Sequence, residues 1–99
     1  MTLQTRGVGM KLTDSLRSHT ERRMRFTVGR YGLTVKSAIV RLIAGRGRAK
    51  VCRIFVTTRY GGKIVVEDRD DNMYAAIDGA ADRLDRAVVR AVQRMRLAS

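Results

Sequence analysis

Apolar side chains recur at helical spacing in two segments of the chain. The first segment runs from Leu12 to Tyr31 and places apolar or small residues at positions 12, 16, 20, 24, 27 and 31. Because residues three and four apart share one face of an α-helix, both segments are predicted to be amphipathic helices. In the second, a helical projection gathers the apolar side chains on one side: Met73, Ile77, Ala80, Ala81, Leu84, Val88, Ala91 and Met95.

Flanking residues predict where these helices begin and end. Thr13 is the predicted N-cap of the first helix, and Asp14 suits its first turn because the helix dipole stabilises a carboxylate there. That helix is predicted to end near the glycine at 29 or the one at 32. For the long final helix, Asp70 or Asp71 is the predicted cap.

Between the helices the chain is rich in β-branched residues, which favour strands. Residues 33–44 and 49–60 are predicted strands of a hairpin that turns at GRGR, 45–48, and IVVE at 64–67 returns after the glycine pair of YGGK. A further short strand is predicted at residues 3–8. Alternation predicts one buried and one water-facing side for the strand 49–60, with Cys52, Ile54, Val56 and Thr58 opposite Arg53, Phe55, Thr57 and Arg59.

The predicted order of elements is therefore β-α-β-β-β-α. Ninety-nine residues fill one core, so residues 1–99 are expected to form a single domain. The predicted fold class is α+β: a four-stranded mixed sheet with two helices packed on one face.

The charge of the chain narrows the class of partner. Lys and Arg number 21 against nine Asp and Glu, which gives a net charge of +12, while 44% hydrophobic residues argue against a disordered basic tail. Such a folded basic domain favours polyanions, either nucleic acid or an anionic membrane surface. The N-terminus lacks a signal-peptide hydrophobic region and no apolar run approaches the roughly 18 residues of a membrane span, so a cytoplasmic protein is expected.

Charged residues of the final helix are divided by sign. Its basic residues fall within an arc of roughly 80°, opposite the apolar side, at Arg83, Arg86, Arg90 and Arg94; these four residues are called the arginine ladder. A separate sector holds Asp78, Asp82 and Asp85, and only Asp82 to Arg86 makes an i,i+4 pair. A solvated face normally mixes signs, so the interpretation of the ladder as a merely solvated face is the weaker one, and a binding surface is the alternative. The aspartates are expected to space the arginines and keep the helix soluble, rather than to hold magnesium.

Three other features each have two interpretations. GRGR is either a basic loop that touches phosphate or a turn with exposed arginines, and it lacks the pattern of a phosphate-binding loop. Tyr74 is expected to pack in the core, the alternative being stacking on a base. Arg23 points toward the apolar side of the first helix and either snorkels there or contacts RNA, whereas Arg22 and Arg25 face outward.

Nothing in the chain indicates an enzyme. His19 is the only histidine and is expected to be a packed or partly exposed imidazole, and Cys52 is expected to be a core thiol. The sequence pairs no nucleophile with a base and clusters no metal ligands, so no cofactor, metal or small-molecule substrate is expected.

The stretch NMYAAIDGAADRLDR at 72–86 resembles the short ribosome hibernation-promoting factor and ribosome-associated inhibitor A family, which carries a segment like D-M-Y-A-A-I-D before a basic amphipathic helix. LTDSLR at 12–17 and the basic residue Arg23 are also similar to the family. The resemblance extends over nearly the whole chain and implies a fold like that of double-stranded-RNA-binding domains.

The resemblance implies a translation inhibitor that binds 16S ribosomal RNA in the decoding channel of the small ribosomal subunit and blocks messenger and transfer RNA. Such a factor would silence idle ribosomes under stress or in stationary phase. The chain ends near its second helix, without the dimerising domain of long family members, so a monomer is expected and self-association through Val92 stays open. The expected RNA-binding residues are Arg22, Arg23, Arg25, Arg83, Arg86, Arg90 and Arg94.

Two other classes stay open beside this one: a general RNA- or DNA-binding protein of similar fold, and an enzyme that uses the open face of the sheet. The missing catalytic residues place the enzyme last. A nonspecific binder needs the charge but has no reason to carry MYAAID.

Overall fold

The computed structural model describes residues 1–29 and 35–98. The order of elements confirms the predicted β-α-β-β-β-α arrangement: β1 (Thr2–Val8), α1 (Asp14–Gly29), β2 (Val35–Ala44), β3 (Lys50–Thr58), β4 (Lys63–Asp70) and α2 (Met73–Ala98). Some positions of the predicted elements lie outside the described residues: Tyr31, Gly32, Leu33, Thr34 and the side chain of Met95.

The four strands form one mixed sheet in the order β1-β2-β3-β4. β1 pairs with β2 in parallel, and the remaining neighbours are antiparallel. A parallel pair requires a crossover connection, which α1 supplies. Both helices lie on one face, as predicted: α2 packs on β3 and β4, and α1 packs against α2 and β1. No helix of the described residues lies on the other face, and β4 is an edge strand.

The core fills the space between the sheet and the helices. Alternation on β3 is as predicted, since Cys52, Ile54 and Val56 are buried and Phe55 is partly exposed. Such large apolar residues dominate the stability of a small domain, because each buried aliphatic side chain contributes about 1.5 to 3 kcal/mol. Among the largest fully buried side chains are Met24, Leu42, Ile54, Ile77 and Leu84.

One of the two predicted helix caps is correct and the other is wrong. Thr13 caps α1, since its Oγ1 accepts a hydrogen bond from the backbone N–H of Leu16 at 3.2 Å. Asn72, not an aspartate, caps α2, because its Oδ1 accepts the N–H of Tyr74 at 2.8 Å. Asp70 still ends β4, and its carboxylate accepts the N–H of Asn72 at 2.9 Å. Asp70 thereby turns the chain from strand to helix without entering the helix.

Both predicted turns are present. Each contains a glycine with a positive φ, a conformation that only a residue without Cβ adopts easily. Gly47 has a φ of 61° in the GRGR turn, where Gly45 donates to the carbonyl of Ala49 at 2.9 Å. Gly61 has a φ of 85° in the turn between β3 and β4. GRGR is thus a structural turn with Arg46 and Arg48 exposed, and its contact with phosphate stays a prediction.

Helix α2 lies close to β4 at Gly79. A Cβ atom at this position would overlap Oδ2 of Asp68 and lie 2.7 Å from its Cγ. Asp68 faces the helix side of the sheet and partners the buried Cys52 in the register of β3 and β4. The absence of a side chain at Gly79 therefore sets the distance between α2 and the sheet edge.

We expect Gly79→Ala to destabilise the domain by about 1 to 3 kcal/mol, although alanine normally stabilises a helix interior by about 1 kcal/mol relative to glycine. Chemical denaturation measures the change. In an Asp68→Ala background the same substitution should cost little or stabilise, because the overlapping carboxylate is gone. Gly29→Ala is the matched control, since nothing lies within 4 Å of its added Cβ. Equal costs in the two backgrounds would contradict the steric explanation.

The Cys52 thiol is packed in the core, as predicted, and is fully buried. Burial, followed by the charge of Asp68, raises the pKa of this thiol from 9.0 to about 12. Between pH 9 and 12 the unfolded chain loses the thiol proton while the folded chain keeps it, so unfolding becomes more favourable as the pH rises.

Replacing Cys52 with alanine should therefore flatten the alkaline part of the stability profile. The test is urea unfolding of wild type and Cys52→Ala from pH 8 to 11. The difference in unfolding free energy between the two proteins should shrink as the pH rises. A constant difference would mean that the thiol does not resist ionisation in the folded state.

Candidate nucleic-acid interface

All four residues of the arginine ladder are exposed on α2, opposite its buried apolar side. Arg83 has one distant partner, since its Nε lies 3.8 Å from Oδ1 of Asp68. Within the described residues, no carboxylate lies at ion-pair distance from Arg86, Arg90 or Arg94. The ladder is thus a row of guanidinium groups that are largely uncompensated within the domain.

The ladder lies on the flank of α2 that overhangs β4. An open groove of about 380 Å³ separates the helix from this edge strand and is lined by Val65, Val66, Glu67, Arg83, Arg86, Ala87 and Arg90. Its lining is mostly polar, with three arginines and Glu67 as the one acid among the lining residues. An anionic chain that followed α2 would meet at least three guanidinium groups at successive helical turns.

Two residues of the acidic sector of α2, Asp78 and Asp82, face α1 and form a polar seam between the two helices. Asp78 Oδ1 lies 2.8 Å from His19 Nε2 and 3.1 Å from Arg23 Nε. Asp82 Oδ1 accepts a hydrogen bond from Arg23 Nη2 at 3.0 Å. The same Nη2 also donates to the backbone carbonyl of Asp78 at 3.3 Å. His19, Arg23, Asp78 and Asp82 are called the helix seam.

The seam corrects two expectations about the aspartates. Asp82 was expected to pair with Arg86 on its own helix, but its carboxylate pairs with Arg23 of α1. Asp78 likewise joins the two helices instead of spacing the ladder. The physical reason is that Arg23 is partly buried between the helices and needs compensation there more than the exposed Arg86 does. No cluster of three possible metal ligands occurs among the described residues.

Tyr74 and His19 extend this contact toward the start of α2. Their rings meet edge to face with centroids 5.1 Å apart, and the Tyr74 hydroxyl hydrogen-bonds Ser15 Oγ at 2.6 Å. Tyr74 is 37% exposed, so it packs between the helices rather than in the core. His19 is a partly exposed, hydrogen-bonded imidazole, as predicted.

The sequence contains a signal for the seam in the spacing of four ionisable residues. His19 and Arg23 are four residues apart on α1, and Asp78 and Asp82 are four residues apart on α2. Residues four apart lie on one helix face, so two matched pairs of opposite charge indicate that these faces meet. Neither spacing alone distinguishes an interhelical contact from a solvated face.

The predicted RNA-binding residues of α1 occupy different surroundings. Arg22 and Arg25 are exposed. Arg23 belongs to the seam and is held by two carboxylates. The structure therefore brings the ladder together on one surface and leaves Arg22 and Arg25 on the outer side of the other helix.

Comparison with known proteins gives a single family. The family model described as Sigma 54 modulation protein / S30EA ribosomal protein matches residues 3–96. The crystal structure of the Protein Y N-terminal domain of Thermus thermophilus is 33% identical, with a TM-score of 0.78, over 91% of this chain and 98% of that one.

A ribosomal subunit interface protein from Coxiella burnetii shares the fold at 18% identity, with a TM-score of 0.86, over 94% of this chain and 99% of that one. No curated protein matches this chain at a significant level. None of the described helices is long and apolar enough to cross a membrane.

The seam predicts that neighbouring arginines of α1 differ in their effect on stability. Arg23→Ala should destabilise the domain by about 1 kcal/mol, since it leaves the partly exposed carboxylates of Asp78 and Asp82 close together without their cation. Arg22→Ala is the matched control and should change the unfolding free energy by less than about 0.5 kcal/mol. Thermal or urea unfolding measures both variants. Equal losses would contradict the assignment of Arg23 to the seam.

Proposed function

Because this chain belongs to the Sigma 54 modulation protein / S30EA ribosomal protein family, a family of ribosome-associated hibernation factors, we propose that it silences idle ribosomes by binding 16S ribosomal RNA in the decoding channel of the small subunit. Bound there, the domain occupies the space that messenger RNA and transfer RNA need. We further propose that the protein is cytoplasmic and acts as a monomer.

The observation that carries this proposal is the separation of charge on α2. Two of the three aspartates of α2, Asp78 and Asp82, pair across the seam, and the ladder on the exposed flank is left largely uncompensated. A helix of 26 residues is about 39 Å long, so its arginines can follow the backbone of a folded RNA over several phosphates. Contacts to phosphate fix position without reading bases, which suits a protein that blocks a channel.

The proposed RNA contacts are the ladder, Arg22 and Arg25, which lie exposed on the two helices. Arg23 stays a predicted contact, although two carboxylates already hold its guanidinium. Val92 packs partly against the core, which accounts for its apolar character without self-association. We propose no catalytic step, because His19 is engaged in the seam and Cys52 is buried.

Binding to ribosomes should weaken steeply as salt rises, because each phosphate contact releases a counterion. With some five to ten contacts, the slope of log affinity against log salt is expected to be about −4 to −8. Co-sedimentation with purified small subunits at 50 to 300 mM salt measures it. A flat response would contradict an interface made of arginines and phosphates.

The location in the decoding channel predicts competition. In a purified translation system the protein should block initiation on vacant ribosomes, whereas ribosomes that already hold messenger and initiator transfer RNA should resist it. Equal inhibition of both would exclude the channel and favour a general RNA binder. If the protein stayed at the top of a sedimentation gradient with ribosomes in low salt, ribosome binding would be excluded altogether.

The triple variant Arg83→Ala, Arg86→Ala and Arg90→Ala should lose this inhibition while its unfolding free energy stays nearly unchanged, because all three side chains are exposed. The control variant Lys11→Ala, Arg17→Ala and Arg59→Ala removes the same charge from exposed positions outside the ladder. Leu84→Ala should have the opposite effect, costing about 2 to 5 kcal/mol of stability. Equal inhibition by the triple and control variants would remove the ladder from the interface.

A further inference from the structure

The face of the sheet opposite the helices carries an unusual row of charges. In the register of the four strands, Arg6 lies opposite Arg41, Arg41 opposite Arg53, and Arg53 opposite Glu67. These positions alternate with the buried residues of β2 and β3, so they lie on the open face. The row thus contains three arginines on adjacent strands and a single carboxylate on the last strand.

This arrangement opposes folding. Like charges directly across neighbouring strands destabilise a sheet, since their Cβ atoms lie about 5 Å apart. Arg53 is compensated, because its Nε and Nη2 lie 2.7 Å and 2.6 Å from Glu67 Oε1. Arg6 donates a hydrogen bond to the neutral Gln4, at 3.0 Å. Within residues 1–29 and 35–98, no carboxylate lies at ion-pair distance from Arg6 or Arg41.

The neighbouring row on the same face has three apolar residues, one of them aromatic, beside a single glutamine. Gln4, Ile39, Phe55 and Val65 align across the four strands. Val65 is 58% exposed, and Phe55 is partly exposed with the guanidinium of Arg41 4.9 Å from its ring centroid. The open face therefore places the Phe55 ring and the guanidinium of Arg41, which contact each other, beside the uncompensated charge of Arg6.

We propose that this open sheet face binds a single strand of RNA. The guanidinium groups of Arg6 and Arg41 take the phosphates, and a base stacks on the Arg41–Phe55 pair. Unpaired bases are bound in proteins by stacking on aromatic rings and on guanidinium planes. The contact is additional to the proposed function of the ladder, which lies on the other side of the sheet.

The observations favour RNA over an acidic protein surface. An acidic protein surface would bind through the positive charges alone, and the partly exposed Phe55 ring beside them would add nothing to its recognition. A duplex keeps its bases stacked within the helix, so they cannot reach Phe55. A single strand uses both rows at once, because its phosphates and bases alternate along one flexible chain.

Titration of the ¹⁵N-labelled full chain with a twelve-residue oligouridine tests the location. Backbone amide shifts should move at open-face positions of β2 and β3, such as Ile39, Arg41 and Phe55, and should also move in the ladder triple variant. Shifts confined to the helices would overturn the proposal. Movement of the sheet amides by polyglutamate of equal length but not by oligouridine would assign the face to an acidic protein, and would equally overturn it.

Variants test the residues. In the ladder triple variant, the further changes Arg6→Gln and Arg41→Gln should weaken oligouridine binding about tenfold at low salt and reduce the log-log salt slope by about 1.4, or 0.7 for each lost contact. Phe55→Leu should weaken binding about fivefold without changing the slope. Lys11→Gln with Arg17→Gln, the control of equal charge on the helix side, should do neither.

Measurements of stability and of ribosome binding distinguish loss of the RNA site from unfolding and from failure of the proposed function. Arg6→Gln with Arg41→Gln should melt no lower than wild type, because it relieves repulsion, so weaker binding cannot be attributed to unfolding. Failure of the ladder triple variant to lose ribosome binding bears on the proposed function alone. Equal loss of oligouridine binding in the open-face and control variants would reduce the effect to net charge and overturn the RNA site.

Discussion

The pairing of Asp78 and Asp82 with His19 and Arg23 is the constraint on which the arrangement of charge depends. It joins α1 to α2 above the sheet and fixes which flank of α2 faces its neighbour. Because Asp78 and Asp82 are engaged in this seam, the arginines on the other flank have little compensation within the described residues. A packing interaction between two helices thereby leaves a basic surface free for a ligand.

The close approach at Gly79 determines how near this basic surface lies to the edge strand β4. The helix lies near enough to β4 for Asp68 to occupy the space of a side chain, and the ladder then overhangs the strand edge. The opposite sheet face has its own basic row, built from register instead of helical spacing. The net charge of +12 is thus distributed over surfaces with different geometry, one along a helix and one across strands.

Much of the fold follows from the sequence, because periodicity is a local property of the chain. The helical spacing of α2, the alternation on β3 and the glycines of both turns each report the environment of a short segment, and all three were predicted correctly. Thr13 was identified as a cap for the same reason. The cap of α2 was misplaced because three polar residues stand together at 70–72, and only the backbone geometry decides which of them ends the strand.

The sequence by itself determined the elements, their order, the basic character of the domain and the exposed face of the ladder. Tertiary structure alone decided the partners of the charges. Asp82 is four residues from Arg86 yet pairs with Arg23, 59 positions away, since burial between helices makes compensation more valuable there than on an exposed face. Arg6, Arg41 and Arg53 are far apart along the chain, and strand register, which no single segment encodes, places them side by side.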